Sequence, residues 1–104
     1  MRAIVALTTC ANEAQARSLA RILVADRLAA CVNIVPKVTS IYEWQGKLHE
    51  DSECLLIIKT THSQIDTLKR ALVDTHDYDL PELIFFEADG GGSEYLRWLN
   101  EQTR

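Results

Sequence analysis

Six side chains carry soft or borderline donor atoms: Cys10, Cys31, Cys54, His49, His62 and His76. Thiolate and imidazole together suit copper and zinc. No two of the six stand at the spacing of a local metal motif, so a site drawn from them must be assembled by folding or between chains. Cys31 opens a predicted strand and His76 ends a predicted helix, and such ends can converge. His76 also lies on the apolar stripe of its helix, where a packed, hydrogen-bonded imidazole is an equal alternative. His49 and His62 suit surface or capping roles. Each cysteine also fits as a small buried hydrophobe, Cys54 above all because it sits inside an apolar run.

Other residues could line a polar pocket. Lys59 follows Leu55 to Ile58 in one strand. An ammonium there must reach solvent or meet a carboxylate. Glu82, just after Pro81, is its expected partner across the sheet. Tyr42 and Trp44 fall near the end of a long hairpin and Trp98 in the last helix. These aromatics suit a subunit interface better than a ligand pocket. Glu50, Asp51 and Glu53 read as a solvated strand edge. Gly90 to Gly92 reads as a flexible turn, since a phosphate loop would need a basic residue and fingerprint spacing. Nucleophile-elbow, zincin, dinucleotide and Walker patterns are absent from the sequence.

The elements that must position these groups follow from periodicity. A strand is predicted over about Ala3 to Thr9. Asn12 with Gln15 three residues on forms a capping-box pattern, and Ala16, Leu19, Ala20 and Leu23 recur at helical spacing. That helix fades near Asp26 to Leu28. Cys31 opens a long strand ending near Gly46, with Pro36 unable to donate to a ladder and a slip of pattern near Ser40-Ile41 that predicts a bulge. A return strand runs from Lys47 to Thr61. Ser63 is the expected cap of a second helix carrying Ile65, Leu68, Leu72 and His76 on one face. Pro81 stops further helix, Glu82 to Glu87 forms a short strand, and Ser93 caps a last helix through Leu99. The order βαββαβ plus a terminal helix is the ferredoxin-like, split-βαβ arrangement of an α+β domain. It places an antiparallel sheet under helices on one face.

Composition narrows the function classes. The chain has 104 residues and a net charge of -4, with a pI near 5.3. That size fits one domain over residues 1–104. A mildly acidic chain with no basic cluster argues against nucleic-acid and anionic-membrane partners. Three widely separated cysteines make a poor disulfide framework and point to a reducing compartment. With no signal-peptide pattern at its start, the chain is expected in the cytoplasm. The runs Ile4-Val5-Ala6-Leu7, Leu55-Leu56-Ile57-Ile58 and Leu83-Ile84-Phe85-Phe86 are apolar on both strand faces. The helices can cover only one of those faces, so self-association is the expected cover for the other.

Five segments, in order and spanning nearly the whole chain, resemble the CutA divalent-cation-tolerance family. They are Ala29-Ala30-Cys31-Val32-Asn33-Ile34, the hairpin Ser40-Ile41-Tyr42-Glu43-Trp44-Gln45-Gly46-Lys47, Lys59-Thr60-Thr61, His76-Asp77-Tyr78-Asp79-Leu80-Pro81-Glu82, and Tyr95-Leu96-Arg97-Trp98-Leu99. Asp77 stands where the family usually has proline, which loosens the loop and adds a charge beside His76. The resemblance implies a compact homotrimer, similar in architecture to PII-type signalling proteins, and a link to tolerance of divalent metals, copper above all. It implies no defined enzymatic reaction. It makes Cys31 and His76 the expected copper ligands. It assigns Tyr42, Trp44, Lys59, Glu82 and Trp98 to the cleft between neighbouring subunits. The alternative it leaves open is a PII-like regulatory or scaffold trimer that takes a protein partner or small ligand in that cleft.

Overall fold

Strand alternation and helical stripes generate the fold, which a computed structural model describes for residues 2–104. Met1, the first residue of the expected domain, lies outside the described residues. The order is β1 (Ala3–Cys10), α1 (Glu13–Ala25), β2 (Cys31–Trp44), β3 (Lys47–Thr61), a 3-10 turn (His62–Gln64), α2 (Ile65–Thr75), β4 (Ile84–Glu87) and α3 (Ser93–Gln102). The sheet runs β2-β3-β1-β4, and every pairing is antiparallel. This is the expected α+β, ferredoxin-like arrangement.

Two periods build the core. Along β1, Ile4, Ala6, Thr8 and Cys10 are buried; along β3, Cys54, Leu56, Ile58 and Thr60 are. They share one face of the sheet because Ala6 pairs with Ile58, Thr8 with Leu56 and Cys10 with Cys54. Ala16, Leu19 and Leu23 of α1 and Leu68 and Leu72 of α2 close over that face. The opposite, open face carries Val5, Leu7, Leu55, Ile57, Ile84 and Phe86 in matching register. Phe86 at 52% and Ile84 at 49% remain exposed there.

Local signals explain most boundaries. Asn12 caps α1, accepting the Gln15 N–H at 2.9 Å. The helix ends in a Schellman pattern, with Leu28 N–H donating to the Leu23 carbonyl at 2.9 Å and Arg27 at φ 61. Gln45 at φ 51 and Gly46 at φ 78 turn the hairpin, and positive φ at both positions is what a tight two-residue hairpin turn requires.

Three expectations are corrected. The bulge lies between Val35 and Val38, not at Ser40-Ile41. Pro36 lacks an N–H for the ladder, and Lys37 takes φ 60, so the irregularity falls where the donor is missing. Ser63 does not cap α2; it sits in the 3-10 turn with its hydroxyl 3.3 Å from that of Thr61, and α2 starts at Ile65. Ser93 is the first residue of α3 rather than its cap, which is Gly92.

Thr8 is fully buried and its hydroxyl has no hydrogen-bond partner among the described residues. An unmet buried hydroxyl costs about 1–3 kcal/mol. Thr8→Val keeps the shape and removes that cost, so it should raise stability by about 1 kcal/mol, read as a higher urea midpoint at unchanged slope. A lower midpoint would show that the hydroxyl is satisfied in solution.

Candidate functional site

The end of the sheet where β1 stops collects the chemistry. Cys10 is the last residue of β1. His76 follows α2 as its C-cap, with extended backbone at ψ 140, so the chain leaves the helix there and turns across the sheet end. Its Nε2 lies 2.7 Å from the Thr9 carbonyl oxygen and 4.0 Å from Cys10 Sγ. A carbonyl only accepts, so Nε2 carries the proton. Nδ1 then accepts the Tyr78 N–H at 3.1 Å. Both ring nitrogens are engaged, which fixes the ring's orientation and pins the loop to β1. A small pocket of about 130 Å³, lined by Cys10, Ser18, Thr75, His76 and Asp77 among others, opens beside this pair.

On the other side of the loop lies a groove of about 760 Å³. Its lining includes Tyr42, Trp44 and Tyr78, with the carboxylates of Asp51, Glu53, Asp77, Asp79 and Glu82 and no basic side chain. Glu53 is 8% exposed and accepts the Tyr78 hydroxyl at 2.6 Å. Tyr42 donates to Asp51 and stacks on His49, ring centroids 5.2 Å apart. Both phenols are raised above their usual range, Tyr78 strongly. Burial is the first cause for Tyr78, followed by the bond to Glu53; for Tyr42 it is the bond to Asp51. Each phenol therefore stays protonated and donates to its carboxylate.

The expected site residues separate into three places. Tyr42, Trp44 and Glu82 line the groove, with His76 in the small pocket across the loop. Cys31 pairs with Lys59, and Lys59 pairs with Val5, which puts both on the open face. Five residue steps along β3 separate Lys59 from Cys54, the rung of Cys10, a span of about 17 Å. Within one chain Cys31 and His76 are therefore not neighbours. Lys59 and Glu82 do not form the expected ion pair, since the salt bridges among the described residues are Arg2–Glu87 and Arg17–Glu13. Trp98 packs with Tyr95 on α3, whose end is tied to Thr61 through Thr103, far from the groove. The donor that the fold brings beside His76 is Cys10, one of the six candidates of the sequence. Its signal was its place at the end of a strand, equivalent to the end-of-element argument used for Cys31.

Among the described residues no group of three or more His, Cys, Asp or Glu is arranged to hold a metal. Cys10 Sγ and His76 Nε2, 4.0 Å apart, are the pair that would hold a soft ion, supplying two of the several ligands such an ion takes. To do so the imidazole would give up its Nε2 proton and its bond to the Thr9 carbonyl.

The Cys10 thiol is pushed up to about 11, by burial first and then by Cys54, Asp77 and Glu53. A thiol whose folded pKa exceeds its unfolded value stabilises the fold below the unfolded pKa and loses that contribution as pH rises through the folded one. Stability should therefore fall between about pH 9 and pH 11, more in the wild type than in Cys10→Ser, as measured by denaturant midpoints across that range. Equal loss in both would show that Cys10 titrates normally.

The CutA1 divalent ion tolerance protein family matches residues 4–102. The chain is 48% identical to the divalent-cation tolerance protein CutA of Thermus thermophilus over 99 residues, covering 95% of this chain and 96% of that one. It is 45% identical to mouse protein CutA over 98 residues, 94% of this chain and 55% of the relative. It spans about half the length of the mouse and Arabidopsis relatives that it matches. The crystal structure of CutA1 from Oryza sativa superposes with a TM-score of 0.97 at 43% identity, over 100% of this chain and 95% of that chain. From these matches, the chain belongs to the CutA1 divalent ion tolerance family.

Proposed function

We propose that the chain serves divalent-cation tolerance by binding copper, as a homotrimer in the cytoplasm. The observation that carries the reading is the approach of Cys10 Sγ to His76 Nε2 at 4.0 Å, beside a pocket that opens to the surface. Thiolate and imidazole form a soft donor pair that favours copper over hard cations. Copper, when bound, supplies a strong Lewis acid that keeps the thiol deprotonated. His76 would hold it at the expense of its bond to Thr9, and Asp77 adds negative charge next to the site. Cys31 enters as a second thiol on the open face, beside Lys59, where only a neighbouring chain could complete a site. The three thiols are free, which suits a reducing compartment.

The trimer rests on the open face. Leu7, Leu55, Ile57, Ile84 and Phe86 lie together there in register, uncovered by α1 and α2. Exposed apolar areas of this kind mark association surfaces. The outer hairpin adds Ile41 at 63% and Leu48 at 76% exposed.

A second reading, a regulatory or scaffold trimer, is favoured by the groove. Its walls of aromatic rings and carboxylates suit a cationic ligand or a basic segment of a partner.

Copper titration followed by native mass spectrometry tests the first reading. Uptake should fall at least tenfold in Cys10→Ser and in His76→Ala, and persist in Cys31→Ser. Loss in Cys31→Ser alone would move the site to the open face, and no uptake in any form would leave the scaffold reading. Light scattering tests the trimer. The wild type should show three times the 11.7 kDa chain mass, and Phe86→Glu should dissociate it, since the substitution touches an exposed side chain and spares the core. A monomeric wild type overturns the assembly.

A further inference from the structure

The large groove has two facing walls of negative charge. Asp51 and Glu53 stand on β3, and Asp77, Asp79 and Glu82 on the loop that follows α2. Five carboxylates thus meet in one groove of a chain whose whole net charge is -4. The salt bridges among the described residues, Arg2–Glu87 and Arg17–Glu13, involve none of them. The groove's volume of about 760 Å³ falls within the range of about 300–1,000 Å³ that small-ligand sites occupy.

Glu53 distinguishes this groove from a merely acidic surface. It is 8% exposed, yet it lines the groove. Its Oε2 accepts the Tyr78 hydroxyl at 2.6 Å, while its Oε1 accepts nothing among the described residues. A carboxylate so deeply buried ordinarily has a cationic partner, and among the described residues no cation stands beside this one.

The placement of the acceptors selects the guest. Asp51 and Glu53 lie two residues apart on one strand face, about 7 Å along it. Among the described residues no group of three or more His, Cys, Asp or Glu is arranged to hold a metal. The negative charge is spread along two walls instead of focused on a point, which suits several separated cations on one molecule. Both phenol hydroxyls are already spent as donors to Asp51 and Glu53, so the walls mainly accept. A peptide would bring backbone carbonyls that find few donors there, whereas an ammonium chain brings donors only. Its methylene spacers fit the rings of Tyr42, Trp44 and Tyr78, whose faces also attract ammonium groups.

We propose that the groove binds a linear aliphatic polyamine, with one ammonium on Glu53 and the others on Asp51 and the loop carboxylates. The proposal rests on the regulatory reading of the groove and names its ligand class; it is independent of copper. Tyr78 gives its hydroxyl to Glu53 and its N–H to His76. An ammonium seated at Glu53 therefore braces the loop that joins the groove to the end of β1.

Isothermal titration of the full chain with spermine tests this, with tetralysine and MgCl₂ in parallel, at about 0.15 M NaCl, where exposed charges are screened beyond about 8 Å. The expected result is saturable uptake of one spermine per chain. Glu53→Gln keeps an acceptor for the Tyr78 hydroxyl and removes the charge; it should weaken spermine about tenfold. Asp79→Asn, at an exposed position, should weaken it about threefold. Glu94→Gln on α3 changes the net charge equally and should leave binding as in the wild type. Equal weakening in all three variants, or displacement of spermine by equimolar Mg²⁺, would mean nonspecific charge attraction and overturn the site. If tetralysine binds with the same dependence on Glu53 and spermine does not, the polyamine is overturned and the partner-binding reading of the groove stands. If neither binds, both fall.

Discussion

The β1–β3 ladder decides where every functional group in this chain sits. Its register pairs Ala3 with Thr61 through to Cys10 with Cys54 without a break. With a side-chain period of two, that single alignment sends Cys10 and Cys54 under the helices and Lys59 to the open face. A slip by one residue would exchange the two sets and bury an ammonium among leucines, at a cost no small domain could absorb. The register is therefore fixed by the core, and the chemistry inherits its geometry from it.

His76 extends that order beyond the sheet. Its ring joins the Thr9 carbonyl to the Tyr78 N–H, so one side chain couples the end of β1 to the loop that walls the groove. Tyr78 carries the link onward to Glu53 on β3. The small pocket and the acidic groove thus lie on two sides of one hydrogen-bonded chain. Any event that turns the imidazole changes both, which gives a metal-binding reading and a ligand-binding reading a shared physical basis.

Much of this was legible in the sequence. The element order came from periodicity, the α1 cap from Asn12 and Gln15, and the uncovered face from strands that are apolar on both sides. Tyr42, Trp44 and Glu82 do share a groove. The failures have a common cause: spatial partners in a sheet are set by register, which local pattern does not reveal. Cys31 and His76 both end an element, yet within one chain the ladder puts them at different ends of the sheet, so that pair could meet only between chains, and the thiol that register brings to His76 is Cys10. Lys59 was matched to Glu82 by charge, while register places Cys31 and Val5 beside it. Ser63 and Ser93 were read as caps from residue type alone, where the 3-10 turn and Gly92 set the actual helix starts.

The bulge shows how one residue can decide a site. On β3 the alternation is continuous from Leu55 through Glu53 and Asp51 to His49. On β2 the pairing jumps from Val35 opposite Leu55 to Val38 opposite Glu53. Pro36 and Lys37 therefore share the place opposite Cys54, two residues against one. Without that extra residue, Ile41 and Glu43 would lie on the face that holds Asp51 and Glu53. With it, Ser40 pairs with Asp51 and Tyr42 with His49, and Tyr42 and Trp44 turn into the groove. Proline is the residue type that makes the insertion tolerable, because it has no N–H to leave unpaired in the ladder. The aromatic wall of the groove is thus a consequence of a backbone irregularity several residues away, and the same irregularity keeps a glutamate from adding further negative charge to an already acidic wall.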